Sequence, residues 1–232
     1  MITTTQSASM LFAVALLASN AVTANSSFQD SSTASWGGWA HGDANTSFVH
    51  WDHIGGPDVL DLVDDTPDAG NFGTSFAQLA PNNAGAFVTG SGAGGNIYSF
   101  SDTPDFTVDI DTSYAAPASL VNVALQLKIL GTDLDAGTVT LDGMAWDVTE
   151  TLFSGQAGGP FGGAELEYLF VWNNVTADTA YQFDFLAQGS SMSLDEVSVD
   201  IGVSAVPVPA AVWMFMTALS GLAVSRRKVN IA

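Results

Sequence analysis

The chain has 232 residues, with 24 acidic and four basic side chains, three histidines and no cysteine. So acidic a chain lacks the Lys and Arg that neutralise nucleic-acid phosphates and clamp phosphate or carboxylate substrates. The lack of cysteine excludes disulfides, thiol catalysis and cysteine-ligated metals.

Residues 10–18, MLFAVALLA, form an apolar run of signal-peptide length, and Val22, Thr23 and Ala24 supply small residues where such a segment is cleaved. The leading MITTTQSAS has no Lys or Arg, so only the α-amino group carries positive charge there. A signal peptide over 1–24 is expected, with secretion through the export machinery. Three of the four basic residues are Arg226, Arg227 and Lys228, so the body over 25–205 holds all 24 acids and a single base, Lys128. Self-repulsion of that size keeps a domain soluble and dispersed. About 180 residues suffice for one ordinary core without disulfides.

Residues 25–82 are the least patterned. Trp36-Gly37-Gly38-Trp39 is a glycine-spaced aromatic pair, residues 47–51 suit a short strand, and 58–68 are an acidic run ending in turn signals. Residues 81–96, rich in Gly, Asn and Ala, read as loop interrupted by Ala86-Phe87-Val88. Short strands are expected over 97–100 and 106–110. Over 120–130 the alternation is plain: Val121, Val123, Leu125, Leu127 and Ile129 face one way, and Asn122, Ala124, Gln126 and Lys128 the other. That period of two marks a strand with one buried face, and it sets Lys128 on the polar side, exposed to solvent.

Residues 133–137 are expected to turn the chain. Asp142-Gly143 is a two-residue hairpin signal between 138–141 and 144–149, and 155–163 is a glycine-rich loop. Residues 166–172 are apolar on both faces, as in an interior strand. Tyr181, Phe183 and Phe185 alternate with more polar neighbours. In the last strand Met192 and Leu194 keep one phase while Val197, Val199 and Ile201 keep another, so a β-bulge is expected across Asp195-Glu196. Many short strands between turn signals predict an all-β fold, a single β-sandwich over 25–205.

After the body comes VPVPAAVWMFMTALSGLAVSRRK, residues 206–228. Pro207 and Pro209 hold their surroundings extended. The 15 uncharged residues 210–224 suit a helix somewhat short for a hydrocarbon core of roughly 30 Å, which flanking residues and snorkelling bases can complete. Arg226, Arg227 and Lys228 mark the cytoplasmic side and stop translocation.

This stretch resembles the sorting tail of PEP-CTERM proteins in its VPxPA variant. Pro207 and Pro209 stand where that family has its two prolines, and Val208 replaces the glutamate of the commonest form. Ala210, Ala211 and Trp213 match the variant's opening, and Arg226-Arg227 its close. The match covers 23 of 232 residues. It implies processing at Val206, Pro207, Val208, Pro209 and Ala210 by an exosortase, a membrane-embedded cysteine transpeptidase of Gram-negative bacteria. It also implies a transient stay in the inner membrane and release to the cell surface or an exopolysaccharide-associated matrix. A plain membrane anchor would need the helix and the charges but not the prolines. Residues 193–200 resemble the final strand of jelly-roll modules such as carbohydrate-binding domains, and 96–100 a segment recurring in β-rich PEP-CTERM surface proteins. The sandwich is therefore expected to be jelly-roll-like.

The body offers few sites. His50 and His53 lie within four residues but lack a clear third zinc ligand. Calcium, which takes several oxygens, is the one candidate cofactor, at Asp102, Asp105, Asp109 and Asp111 or at Asp133 and Asp135, although no stretch fits an EF-hand loop. Gly-x-Ser-x-Gly and phosphate-cradle motifs are absent. The expected function is a non-catalytic exported surface or matrix protein. Alternatives are a carbohydrate-binding module that stacks polysaccharide on Trp36, Trp39 and Trp51, and a secreted hydrolase.

Overall fold

The computed structural model describes residues 28–30, 34–40, 42–52, 54, 69–71, 74–89, 95–112, 119–156 and 163–204. The expected signal peptide, the acidic run 58–68, His41, His53 and the whole sorting tail lie outside the described residues. Within them the protein is all-β. The strands are β1 (Thr46–Trp51), β2 (Ala69–Asn71), β3 (Thr74–Pro81), β4 (Ala86–Thr89), β5 (Asn96–Ser99), β6 (Asp105–Thr112), β7 (Leu120–Gly131), β8 (Leu134–Leu141), β9 (Met144–Ala145), β10 (Val148–Gln156), β11 (Ala164–Thr176), β12 (Ala180–Ala187) and β13 (Met192–Val203).

They form two antiparallel sheets. The larger runs β10-β11-β7-β13-β1-β2, with β5 also pairing to β13 and β4 to β5; the smaller runs β3-β6-β12-β8-β9. Period-two patterning fills the space between them. Val123, Leu125 and Leu127 of β7 share one core with Phe106 and Val108 of β6 and with Phe183 and Phe185 of β12. Trp172 of the larger sheet meets Phe183 of the smaller edge-on, ring centres 5.7 Å apart. Each large apolar side chain so buried contributes about 1.5–3 kcal/mol.

Three expectations change. Residues 86–89 are a strand rather than an interruption in a loop. The 133–137 turn is tighter than expected, because β8 already starts at Leu134. The Asp142-Gly143 turn forms, with φ of 50° and 75°, but its second strand splits. Met144 and Ala145 pair with β8, and then the chain crosses to the other sheet as β10. Trp146 and Trp172 fasten this crossing by donating indole N–H bonds to Ala136 O (3.0 Å) and Met144 O (3.1 Å).

The expected bulge is present. The register between β13 and β7 shifts between Leu194 and Glu196, so Leu194 and Val197 both reach the core, opposite Ile129 and Leu127. An inserted residue restores the inward phase on either side of it.

The larger sheet is also covered on its outer face. Trp36 and Trp39, edge-to-face at 5.8 Å, cluster there with Ala124, Leu169 and Val171. The backbone of Gln29 exchanges two bonds with the Gln126 amide (2.7 and 3.1 Å), and Asn122 Nδ2 donates to Trp36 O at 3.0 Å. Gly202 of β13 makes this docking possible, since a Cβ there would overlap the Trp39 ring. Gly202→Val is therefore expected to lower stability by about 1–3 kcal/mol, read from the denaturation midpoint. A variant as stable as the parent would show that the Trp39 cover contributes little.

Candidate functional site

The polar row on the outer face of the larger sheet is built around Lys128. The antiparallel register sets Lys128 between Glu167 of β11 and Glu196 of β13. The bulge turns a further carboxylate, Asp195, toward it, at 3.0 Å from Nζ, and Glu165 stands at 3.7 Å. Lys128 is thus no solvated surface lysine. Burial pulls its pKa down, but the Asp195 hydrogen bond and the charges of Asp195, Glu196 and Glu165 outweigh that and raise it. Glu196 is itself buried and holds His50 Nε2 at 2.6 Å. His50 is thereby committed to a contact between β1 and β13.

The six aspartates considered for calcium do not converge. Asp105, Asp109 and Asp111 alternate along β6 on the outer face of the smaller sheet. Asp105 accepts from Asn82 Nδ2 (3.0 Å) and Asp109 from Gln182 Nε2 (3.0 Å). Asp102 lies exposed between β5 and β6. Asp133 accepts from Leu134 N and from the Tyr168 hydroxyl, each at 2.7 Å, and Asp135 from Gly137 N at 3.2 Å. Asp105 and Asp135 share one row across Leu186, two strands apart. Among the described residues no three His, Asp or Glu side chains come together to hold a metal ion.

The three tryptophans considered for sugar stacking give no exposed platform. Trp51 is 0% exposed, inside the core, and Trp36 and Trp39 are buried against the outer face of the larger sheet. Between Trp36 and Trp39, Gly38 holds φ at 110°, a backbone conformation that glycine adopts readily. Val206, Pro207, Val208, Pro209 and Ala210, with Arg226, Arg227 and Lys228, lie outside the described residues.

Asp142 belongs to the acidic side of the smaller sheet. Burial raises its pKa, the bond it accepts from Gln182 N (3.0 Å) opposes the rise, and the charges of Asp178, Asp184 and Asp109 add to it. Burial, then the bond to Asp133, likewise raises Tyr168.

The aromatic surface lies elsewhere, at Phe87, Tyr98 and Phe100. Cross-strand pairing of β4 with β5 sets Phe87 directly opposite Tyr98, and Phe100 follows two residues on. Phe87 is 38% exposed and Phe100 63%. Their rings stack at 5.5 Å and 25° from parallel, and Tyr98 stands edge-on to both, at 5.9 and 4.6 Å. The short β5 carries Ile97 on one face and Tyr98, followed by Phe100, on the other. It is paired to β13 through only Tyr98 and Ile97, but nothing local in the sequence joins these rings to Phe87. The inward Ile97 is buried and the outward rings are left at the surface.

Two substitutions test these electrostatics. Lys128→Met leaves a group of half-buried and buried carboxylates without their cation and is expected to cost about 2–4 kcal/mol at neutral pH. Because the folded pKa is raised, lysine's contribution is complete below its ordinary value of 10.5 and fades only as pH climbs through the folded value. Denaturant titrations at pH 7 and pH 11 should show the difference shrinking only at the higher pH. Asp142→Asn keeps the acceptor for Gln182 N and tolerates positive φ. It is expected to raise the melting temperature by roughly 1–2 °C at pH 7. The gain should vanish as pH falls through the raised folded pKa, where wild-type Asp142 is protonated too.

No family model, curated protein or solved structure matches the chain.

Proposed function

We propose that the protein is an exported, non-catalytic surface or matrix component, and that residues 206–228 are a sorting signal cut by an exosortase. The order of parts in that tail carries the reading: proline motif, uncharged stretch of 15 residues, then Arg226, Arg227 and Lys228. The fold is compatible with removal of the tail. The β13 ladder ends at Val203, and Ser204 closes it by donating its N–H to Leu120 O (2.9 Å) and its hydroxyl to Asn174 Oδ1 (2.8 Å). A cut within 206–210 falls beyond β13 and leaves every described strand whole. In this reading 1–24 is the signal peptide, 25–205 a jelly-roll-like sandwich, and the inner membrane a way-station. The antiparallel two-sheet core supports the sandwich.

The prolines separate sorting from permanent anchoring, since only an enzyme that binds extended backbone needs them. Changing Pro207 and Pro209 together to Ala is expected to leave membrane insertion intact and to block release, so that full-length chain accumulates in the inner membrane. Mass spectrometry of the wild-type mature protein, from cells holding the sorting enzyme, is expected to find a chain that ends before Trp213. A mature form that still carries Trp213 to Arg226 would establish the plain anchor instead.

A further inference from the structure

The outward rings of the β4–β5 hairpin are not used by the core, because the inward side chains of the same strands, Val88 and Ile97, already fill it. We propose that Phe87, Tyr98 and Phe100 form a platform that binds a neutral polysaccharide.

Three observations support this occupant. The first is shape. Phe87 and Phe100 are near parallel at 5.5 Å and Tyr98 stands edge-on to both, so the cluster is fixed from the side and offers solvent chiefly the Phe100 ring, with part of Phe87 beside it. The C–H face of a pyranose ring is flat and apolar, whereas its rim is polar. The second is the polar surround. The Asp102 carboxylate occupies the space over Gly85, two residues before Phe87. Thr89, on the side of the hairpin that carries Phe87, donates its hydroxyl to Asn96 O at 3.4 Å, whereas Asp102, two residues after Phe100, is exposed. An exposed carboxylate near aromatic rings can accept from the hydroxyls of a sugar whose face lies on the rings. The third is charge. With 24 acids against one base in the body, an anionic polymer or an anionic lipid surface is repelled, and a neutral chain is not.

The platform does not depend on how the tail is processed. A sorting signal that failed its own test would leave it standing, and the reverse holds too.

The test is native affinity electrophoresis of the full chain in a non-glycosidic detergent, through gels containing laminarin, xyloglucan, galactomannan or dextran, with alginate as the anionic comparison. Retardation is expected in at least one neutral gel and not in alginate. Phe87→Ala and Phe100→Ala should each weaken it at least tenfold, while Phe153→Ala, an exposed phenylalanine on β10, should leave it unchanged. Phe100→Trp keeps a ring face and should preserve binding. If Phe87→Ala lowers the melting temperature, the two Phe100 variants decide, because that ring is mostly in solvent. No retardation in any neutral gel, equal retardation in alginate, or an unaltered Phe100→Ala variant would overturn the proposal.

Discussion

The body has to fold 24 negative charges around one positive one, and most of its polar architecture follows from that constraint. Lys128 is placed toward the end of β7, an interior strand, where the register brings carboxylates from both neighbouring strands to it. Elsewhere neutral donors do the same work. Asn82, Thr107 and Gln182 supply N–H and O–H groups to Asp105, Asp184 and Asp109 across the outer face of the smaller sheet. These donors occupy carboxylate oxygens on the outer face without adding countercharge, while the apolar faces meet behind them.

Strand β13 joins the larger sheet together. It pairs with β7 along one edge and with β1 and β5 along the other, and it carries Gly202 under Trp39 and the bulge beside Lys128. The bulge serves two ends at once. It keeps Leu194 and Val197 in the core, and it places Asp195 and Glu196 within reach of the one cation and of His50. Removing one residue from that strand would move every side chain beyond it to the other face.

The strands with one buried face are legible because alternation is a direct consequence of strand geometry. The pattern at Val121–Ile129 gives β7, that at Tyr181–Phe185 gives β12, and the phase change at Asp195-Glu196 gives the bulge. Contacts between distant segments are not legible. Nothing in the local pattern around Lys128 says that Glu165 and Asp195 will lie beside it, so it reads as a solvated lysine. Trp36 and Trp39 read as exposed because their flanking glycines suggest a loop, yet the loop lies flat on a sheet. Phe87 and Tyr98 give no local sign of a shared surface, because their strands are short and surrounded by glycine. Only cross-strand pairing brings the three rings together.

The position of β13 also has a consequence in time. His50 and Glu196 are 146 residues apart, and β1 has no place in the larger sheet until the chain is nearly complete. Contacts so distant in sequence are slow to form. A chain that emerges N-terminus first therefore holds the edges of β1 and β7 that face β13 open until that strand arrives. Open strand edges are where chains join one another. Most of the 24 acids have by then emerged with almost nothing to neutralise them, so two such half-folded chains repel before their edges can meet. The excess charge guards the interval before the last strand arrives.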